Sequence, residues 1–188
     1  MNRERRMFVL ANEPIGAKII LLGGDKFAIV DPADYENLSR FRWRADQSER
    51  VWYAARFKMI GGRARNILMH RLLLNAPPGV EVDHRNGNGL DNRRANIRLC
   101  THVENSRNRH SLRLTKASRW KGVVPYASQI GTRWRARIHV SGKNLSLGSY
   151  GTEEEAARAY DTAAREHFGE FAALNYPGVT PSSGSDSP

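Results

Sequence analysis

Between Ala17 and Leu74 the chain carries short apolar runs, AKIILL, KFAIVD, VWYAARFKM and RNILMHRLLL, set apart by GGD, ADQSER and IGGRA. Runs of this length, rich in branched and aromatic residues and bounded by glycine and aspartate, predict strands of an antiparallel sheet. Pro77 and Pro78 break the pattern. Beyond them VEVDHRNGNGLDNRRAN, residues 80–96, joins a short alternation to a cluster of Asn, Gly and Asp, the composition of a hairpin turn. NIRLCTHVENSRNRH then predicts a short helix, or a strand passing into one.

The stretch NSRNRHSLRLTKASR, Asn105 to Arg119, has almost nothing to bury and reads as a linker or docking arm. From Trp120 the pattern changes. RWRARIHV alternates, with Trp134, Ala136, Ile138 and Val140 on one face and Arg133, Arg135, Arg137 and His139 on the other. That is a half-buried strand with a cationic outer face. Gly142-Lys143 predicts a turn and NLSLGSY the returning strand. Thr152-Glu153-Glu154-Glu155 is a capping box, so a helix starts there, with Ala156, Ala159, Tyr160, Ala163 and Phe168 at helical spacing and Gly169 placed to end it. The final YPGVTPSSGSDSP is expected to be disordered. The class is α+β: antiparallel strands leading into a hairpin-and-helix module, then a small three-stranded sheet on one helix. The expected boundaries are an extension over 1–14, a first domain over 15–108 with its core at 70–108, a basic linker over 109–117, a second domain over 118–177 and a tail over 178–188.

Charge adds a partner. Thirty Lys and Arg against nineteen Asp and Glu give a net charge of +11, which points to a polyanion. A single cysteine, Cys100, excludes an internal disulfide framework and a CxxC zinc site. No apolar run reaches the ~20 residues of a membrane span, and MNRERRMFVLANEP has too short an apolar stretch for a secretory signal. The expectation is a soluble cytoplasmic protein of a bacterial or phage-infected cell with no membrane partner.

The acid-imidazole pair Asp83-His84 supplies candidate chemistry, although Asp-His beside turn residues is also what an ordinary exposed hairpin contains. Spacing favours chemistry, with Asn96 and Asn105 following. Metal-assisted phosphodiester cleavage needs a carboxylate and a second oxygen donor for a hard divalent cation, and a base for water. Asp83, Asn105 and His84 can supply all three. An imidazole with an unperturbed pKa of ~6.5 is mostly neutral at pH 7, as a base must be.

LMHRLLLN…VEVDHRNGNGLDNRRANIRL…ENSRN resembles the HNH endonucleases, specifically their homing-endonuclease branch, across residues 15–110 and most specifically from His70 to Asn108. The resemblance implies a β-hairpin and a helix clasping one metal ion, with Asp83 and Asn105 as ligands, His84 as general base and Asn96 fixing the hairpin loop. Asn105 departs from the name-giving final histidine. An amide oxygen is a hard donor, so the expected cation is Mg²⁺ or Mn²⁺ rather than zinc. His70, His102 and His110 are read as packed or backbone-bonded histidines.

SRWKGVVPYASQIGTRWRARIHVSGKNLSLGSYGTEEEAARAYDTAAREHFGEFAALNYP, residues 118–177, resembles the AP2 DNA-binding domain. Taken as C-terminal, that domain implies a sheet that reads double-stranded DNA through Lys121, Val124, Tyr126, Arg133, Arg135, Arg137, His139, Asn144 and Ser146. Val124 and Ser146 stand where the plant pattern has arginine and tryptophan, so the plant target sequence does not carry over. The reading is an HNH endonuclease of phage or mobile-element character delivered by an AP2 domain, acting as a monomer or a DNA-assembled dimer. The alternatives are a DNA-binding regulator with an inactive HNH module and a structural RNA-binding protein.

Overall fold

The computed structural model describes residues 14–49, 51–108, 118–128 and 131–178. The expected extension, basic linker and tail lie outside them, apart from Pro14 and Gly178. The chain forms two compact units, Met1–Asn105 and Ser106–Pro188.

In the first unit β1 (Lys18–Gly23) and β2 (Lys26–Val30) form an antiparallel pair, followed by α1 (Pro32–Ser39). β3 (Arg44–Ser48), β4 (Val51–Ile60) and β5 (Arg63–Leu68) make a separate antiparallel sheet in the order β3-β4-β5. α2 (Met69–Leu73), the antiparallel pair β6 (Glu81–His84) and β7 (Ile97–Cys100), and the first turn of α3 (His102–Asn108), whose last residues belong to the second unit, complete the first unit's elements. Ile20, Leu22, Ala28, Val30, Leu38, Trp43, Ala54, Met69, Leu73 and Ile97 share one core. Trp43 enters it without an orphan donor, because its indole N–H reaches the Leu38 carbonyl at 2.8 Å.

Four features of this unit differ from the sequence reading. The expected single sheet is two sheets. ADQSER, read as a separator, supplies most of β3, whose polar side chains are satisfied at the sheet edge: the Arg44 guanidinium pairs with Asp46 at 2.8 Å and Asn66 donates to the same carboxylate at 2.8 Å. MHRLL, read as strand, is α2, and Met69, His70 and Leu73 are buried at helical spacing. α1 was not foreseen at all. Its local signals are Pro32, in the first turn where a missing N–H costs nothing, and the acid Asp34 in the same turn.

In the second unit β8 (Val123–Ser128), β9 (Gly131–Val140) and β10 (Lys143–Tyr150) form an antiparallel sheet in the order β10-β9-β8, followed by α4 (Glu153–Phe168) and a short 3₁₀ turn, Gly169–Phe171. Val123, Ala136 and Ile138 of the sheet pack on Ala156, Ala157, Tyr160, Ala163, Ala164 and Phe168 of the helix. The alanines allow close approach. Thr152 and Glu155 form the expected capping box, each side chain taking the other's backbone N–H at 3.2 and 3.1 Å. Gly169 ends the helix at φ 53°. The β9–β10 turn is Ser141-Gly142, at φ 49° and 80°, one residue earlier than expected.

Candidate active site and nucleic-acid face

β6 and β7 pair with Asp83 opposite Arg98 and His84 opposite Ile97, and residues 85–96 close them as a long loop. The Arg85 N–H donates to the Asn96 carbonyl at 2.9 Å, so the hairpin is sealed at its mouth. The asparagines then shape the turn: Asn86 Oδ1 accepts from the Asn88 N–H at 2.9 Å, and Asn88 Oδ1 from the Leu90 N–H at 3.1 Å. Farther round, the loop is tied to β2 and α1. Ile29 donates to the Leu90 carbonyl at 2.9 Å and accepts from Asn92 at 2.7 Å, and Arg94 grips Asp34 through two nitrogens at 2.8 Å each. Gly89 lies so close to Trp52 and Tyr53 that a Cβ there would sit 2.5 Å from the Trp52 carbonyl oxygen. The NGNG signal therefore marks a rigid anchored loop rather than a two-residue turn.

Asn96 spans this loop. Its Oδ1 accepts from the Asn86 N–H at 3.1 Å and its Nδ2 donates to the Asp91 carbonyl at 2.7 Å. Asp91, buried, accepts from Asn86 Nδ2 at 2.9 Å and from Arg93 Nε and Nη2 at 2.8 and 2.6 Å. Burial works against its charge, but Arg93 and Asn86 outweigh that and hold its carboxyl below the usual range.

Asp83 is 4% exposed, and its Oδ2 accepts from Arg98 Nε at 2.8 Å and Nη2 at 2.6 Å. Glu81 lies two residues back on the same face of β6. Its Oε2 accepts from Asn105 Nδ2 at 2.5 Å, and His102 Nδ1 lies 2.7 Å from its Oε1. Asn105 is thus brought to the face that carries Asp83, through Glu81 rather than by a direct bond. His84 packs elsewhere, with its ring 5.0 Å from His70 at 84° and 5.9 Å from Tyr53. Burial pushes its imidazole down to about 4, against the opposite pull of Asp83 and Asp91. Burial together with the neighbouring His84 and Arg71 holds His70 at about 3. His70 is therefore a packed histidine, whereas His102 is an exposed one paired with Glu81.

The donor set suits a hard cation. Among the described residues no three His, Cys, Asp or Glu side chains converge into a cage. What β6 and α3 offer is a carboxylate and an amide oxygen, since Asn105 spends its NH₂ on Glu81, and a partial oxygen set completed by water is what Mg²⁺ takes. Sequence reasoning missed Arg98, Glu81, Asp91 and Tyr53. Two of them were within reach: Glu81 sits at i−2 of Asp83 on an alternating strand, and closure of the hairpin at Arg85 and Asn96 puts Arg98 opposite Asp83.

In the second unit the alternation of β9 holds. Arg135, Arg137 and His139 are exposed and Arg133 half-exposed, while Ala136 and Ile138 are buried. Pairing sets Val124 and Tyr126 of β8 beside Arg135 and Arg133, and Asn144 and Ser146 of β10 beside His139 and Arg137. The Arg135 guanidinium lies 4.5 Å from the centre of the Tyr126 ring, and His139 Nδ1 lies 3.0 Å from Asn144 Oδ1. A bulge between Ser146 and Gly148 shifts the register, so Ser149 falls opposite Arg135 and joins the outer face. Lys121 stands apart: its ammonium donates to the Arg107 carbonyl at 2.8 Å, and burial pushes it down to about 8.

A family model described as HNH endonuclease matches residues 75–107. An uncharacterised HNH endonuclease of Acanthamoeba polyphaga mimivirus is 30% identical over 159 residues, 82% of this chain and 79% of that protein. An AP2/ERF and B3 domain-containing protein of Oryza sativa subsp. japonica is 46% identical over 67 residues, 36% of this chain and 18% of its own length. An AP2-like ethylene-responsive transcription factor of Arabidopsis thaliana is 50% identical over 62 residues, 32% of this chain and 11% of its own length. The chain thus spans less than a fifth of these plant proteins. Their likeness supports an AP2 segment in this chain.

Proposed function

The chain belongs to the HNH endonuclease family, and on that premise we propose that it is a metal-dependent DNA endonuclease of the homing type, directed to double-stranded DNA by its AP2-type sheet. The observation that carries this reading is the rigid hairpin that holds buried Asp83 and the neutral His84 at consecutive positions of β6 and brings Asn105 to the Asp83 face. Asp83 and Asn105 would hold one Mg²⁺ or Mn²⁺ ion. When bound, such a cation stabilises the charge added to the phosphate and to the departing 3′ oxygen. His84, held neutral by burial, accepts the proton of the attacking water. Asn96 keeps the loop, and with it His84, in place. Arg98 balances the Asp83 charge and fixes the carboxylate plane. Attack by water with loss of the 3′ oxygen leaves 5′-phosphate and 3′-hydroxyl ends.

Incubating the full chain with a random-library plasmid in Mg²⁺ or Mn²⁺, and resolving nicked from linear product, tests the proposal. Cleavage that EDTA abolishes is expected, with His84→Ala lower by roughly 10²- to 10⁴-fold and duplex binding in EDTA retained. DNA left intact under every metal would sink the reading. The Arg98 ion pair on Asp83 gives the regulator reading its one foothold, and binding without cleavage would favour it.

A further inference from the structure

β4 and β5 run on past the sheet that carries them. β3 pairs with β4 only from Val51 to Ala55, whereas β4 and β5 remain paired to their shared turn. Arg44 of β3 still reaches Phe57 and Asn66, but from Lys58 to Arg65 every residue is exposed, so beyond that pair the two strands project as a ribbon. Gly61 and Gly62, at φ 56° and 74°, close the ribbon in a two-residue turn of the kind that matches strand twist. A lone two-stranded ribbon is marginal in water, because it buries little apolar surface. Its side chains are open to a partner.

Their chemistry says which kind. Register sets Lys58 opposite Arg65 and Ile60 opposite Arg63, so three cations share one face. RFKMIGGRARNI, residues 56–67, contains no acid. Among the described residues none of these three side chains forms a hydrogen bond or ion pair, unlike Arg44 at the base of the sheet, which Asp46 and Asn66 hold. Like charges directly opposite each other on a sheet destabilise it, and a polyanion relieves that repulsion. The shape also fits. Five residues of strand span about 17 Å at about 3.4 Å each, and a major groove about 12 Å wide admits a two-stranded ribbon.

We propose that the Lys58–Arg63–Arg65 face is a second duplex-DNA contact, separate from the β8–β10 sheet, that grips backbone phosphates without reading sequence. The choice of duplex DNA among polyanions rests on the endonuclease reading. Phosphate contacts position a protein on DNA and leave their mark in the salt dependence of binding.

The test measures binding of the full chain to a random-sequence 40-base-pair duplex in EDTA, across a salt series, for wild type and for Lys58→Gln/Arg63→Gln/Arg65→Gln. Glutamine keeps the stems and the strand, and circular dichroism checks the fold. The triple variant is expected to bind at least about tenfold more weakly, with the slope of log affinity against log salt smaller by roughly two to three. An unchanged slope and affinity in a folded variant overturns the proposal. So does tighter wild-type binding to duplex RNA that the variant loses, which would assign the ribbon to RNA. Because the assay contains no divalent metal, it is independent of cleavage: a wild type that binds but never cuts defeats the endonuclease reading and leaves the ribbon standing.

Discussion

The hairpin region and the β8–β10 sheet solve opposite packing problems. Around loop 85–96 the polar groups are inside: Asp83, His84, Asp91, Asn92, Asn96 and Arg98 are all buried, and Asn92 is fully so. In the sheet-and-helix unit the interior is small and apolar, built on Ala136, Ala156, Ala157 and Ala164, and the arginines stand outside. The one buried acid of α4, Asp161, is spent on the Asn175 and Tyr176 N–H groups at 2.7 and 2.8 Å. A buried polar network is costly unless every member is bonded, and once bonded it fixes positions tightly. That suits groups that must hold a cation and a water. An exposed row of long cations is cheap and adaptable, which suits docking on a charged duplex.

The sharpest way to break this contrast is to overfill each interior at its tightest glycine. Gly122, at φ 75°, has the Tyr160 ring and the Arg137 carbonyl where a Cβ would go. Gly122→Ala therefore combines backbone strain with overpacking and should cost about 3 kcal/mol or more by denaturant unfolding. Gly89 has an ordinary φ but meets the Trp52 carbonyl and the Tyr53 ring. Gly89→Ala should cost about 1 to 3 kcal/mol yet reduce cleavage more than that figure suggests, because Tyr53 packs on His70 and His84. If Gly89→Ala cuts DNA as wild type does, the loop is not the rigid frame described above.

The two regions were unequally legible for the same reason. Along β9 the period-two pattern records which side chains face out, and Trp134 to Val140 needed no other information. It failed only at the bulge after Ser146, which no alternation encodes. Around β6 the motif residues were visible, but their partners come from elsewhere: Tyr53 from β4, His70 from α2, Arg98 across the hairpin. Such contacts depend on tertiary packing. α1 and β3 were lost because a proline-started helix and a polar edge strand carry almost no periodic signal.

Acid should separate the units next. His70 and His84 stay neutral in the fold down to about 3 and 4, while an unfolded chain protonates them near 6.5. Below that value the unfolded state binds more protons, so stability is complete above about pH 6.5 and is lost as pH falls toward 4. Each histidine contributes a slope of about 1.4 kcal/mol per pH unit. In the second unit the described histidines, His139 and His167, are exposed. Amide exchange at pH 7 and pH 5.5 should show protection falling in residues 14–105 more than in 118–178, and His70→Phe should remove about half of the difference. Equal losses would mean that the imidazoles do not control acid stability.

The smallest effects probe the outer face. Arg137→Ala should weaken specific DNA binding by about 1 to 3 kcal/mol and leave cleavage per bound complex unchanged. Ser149, placed outward only by the bulge, should matter less: Ser149→Ala removes at most one neutral hydrogen bond, about 0.5 to 1.5 kcal/mol. The informative change is Ser149→Arg. Beside Arg135 on an exposed face a fourth arginine gains a phosphate, so affinity should rise and the salt slope steepen by about one. With unbroken alternation the same arginine would enter the Ala136–Ala157 interior and unfold the unit. A variant that is folded and more salt-sensitive thus places Ser149 on the DNA face, and a variant that loses its fold places it inside.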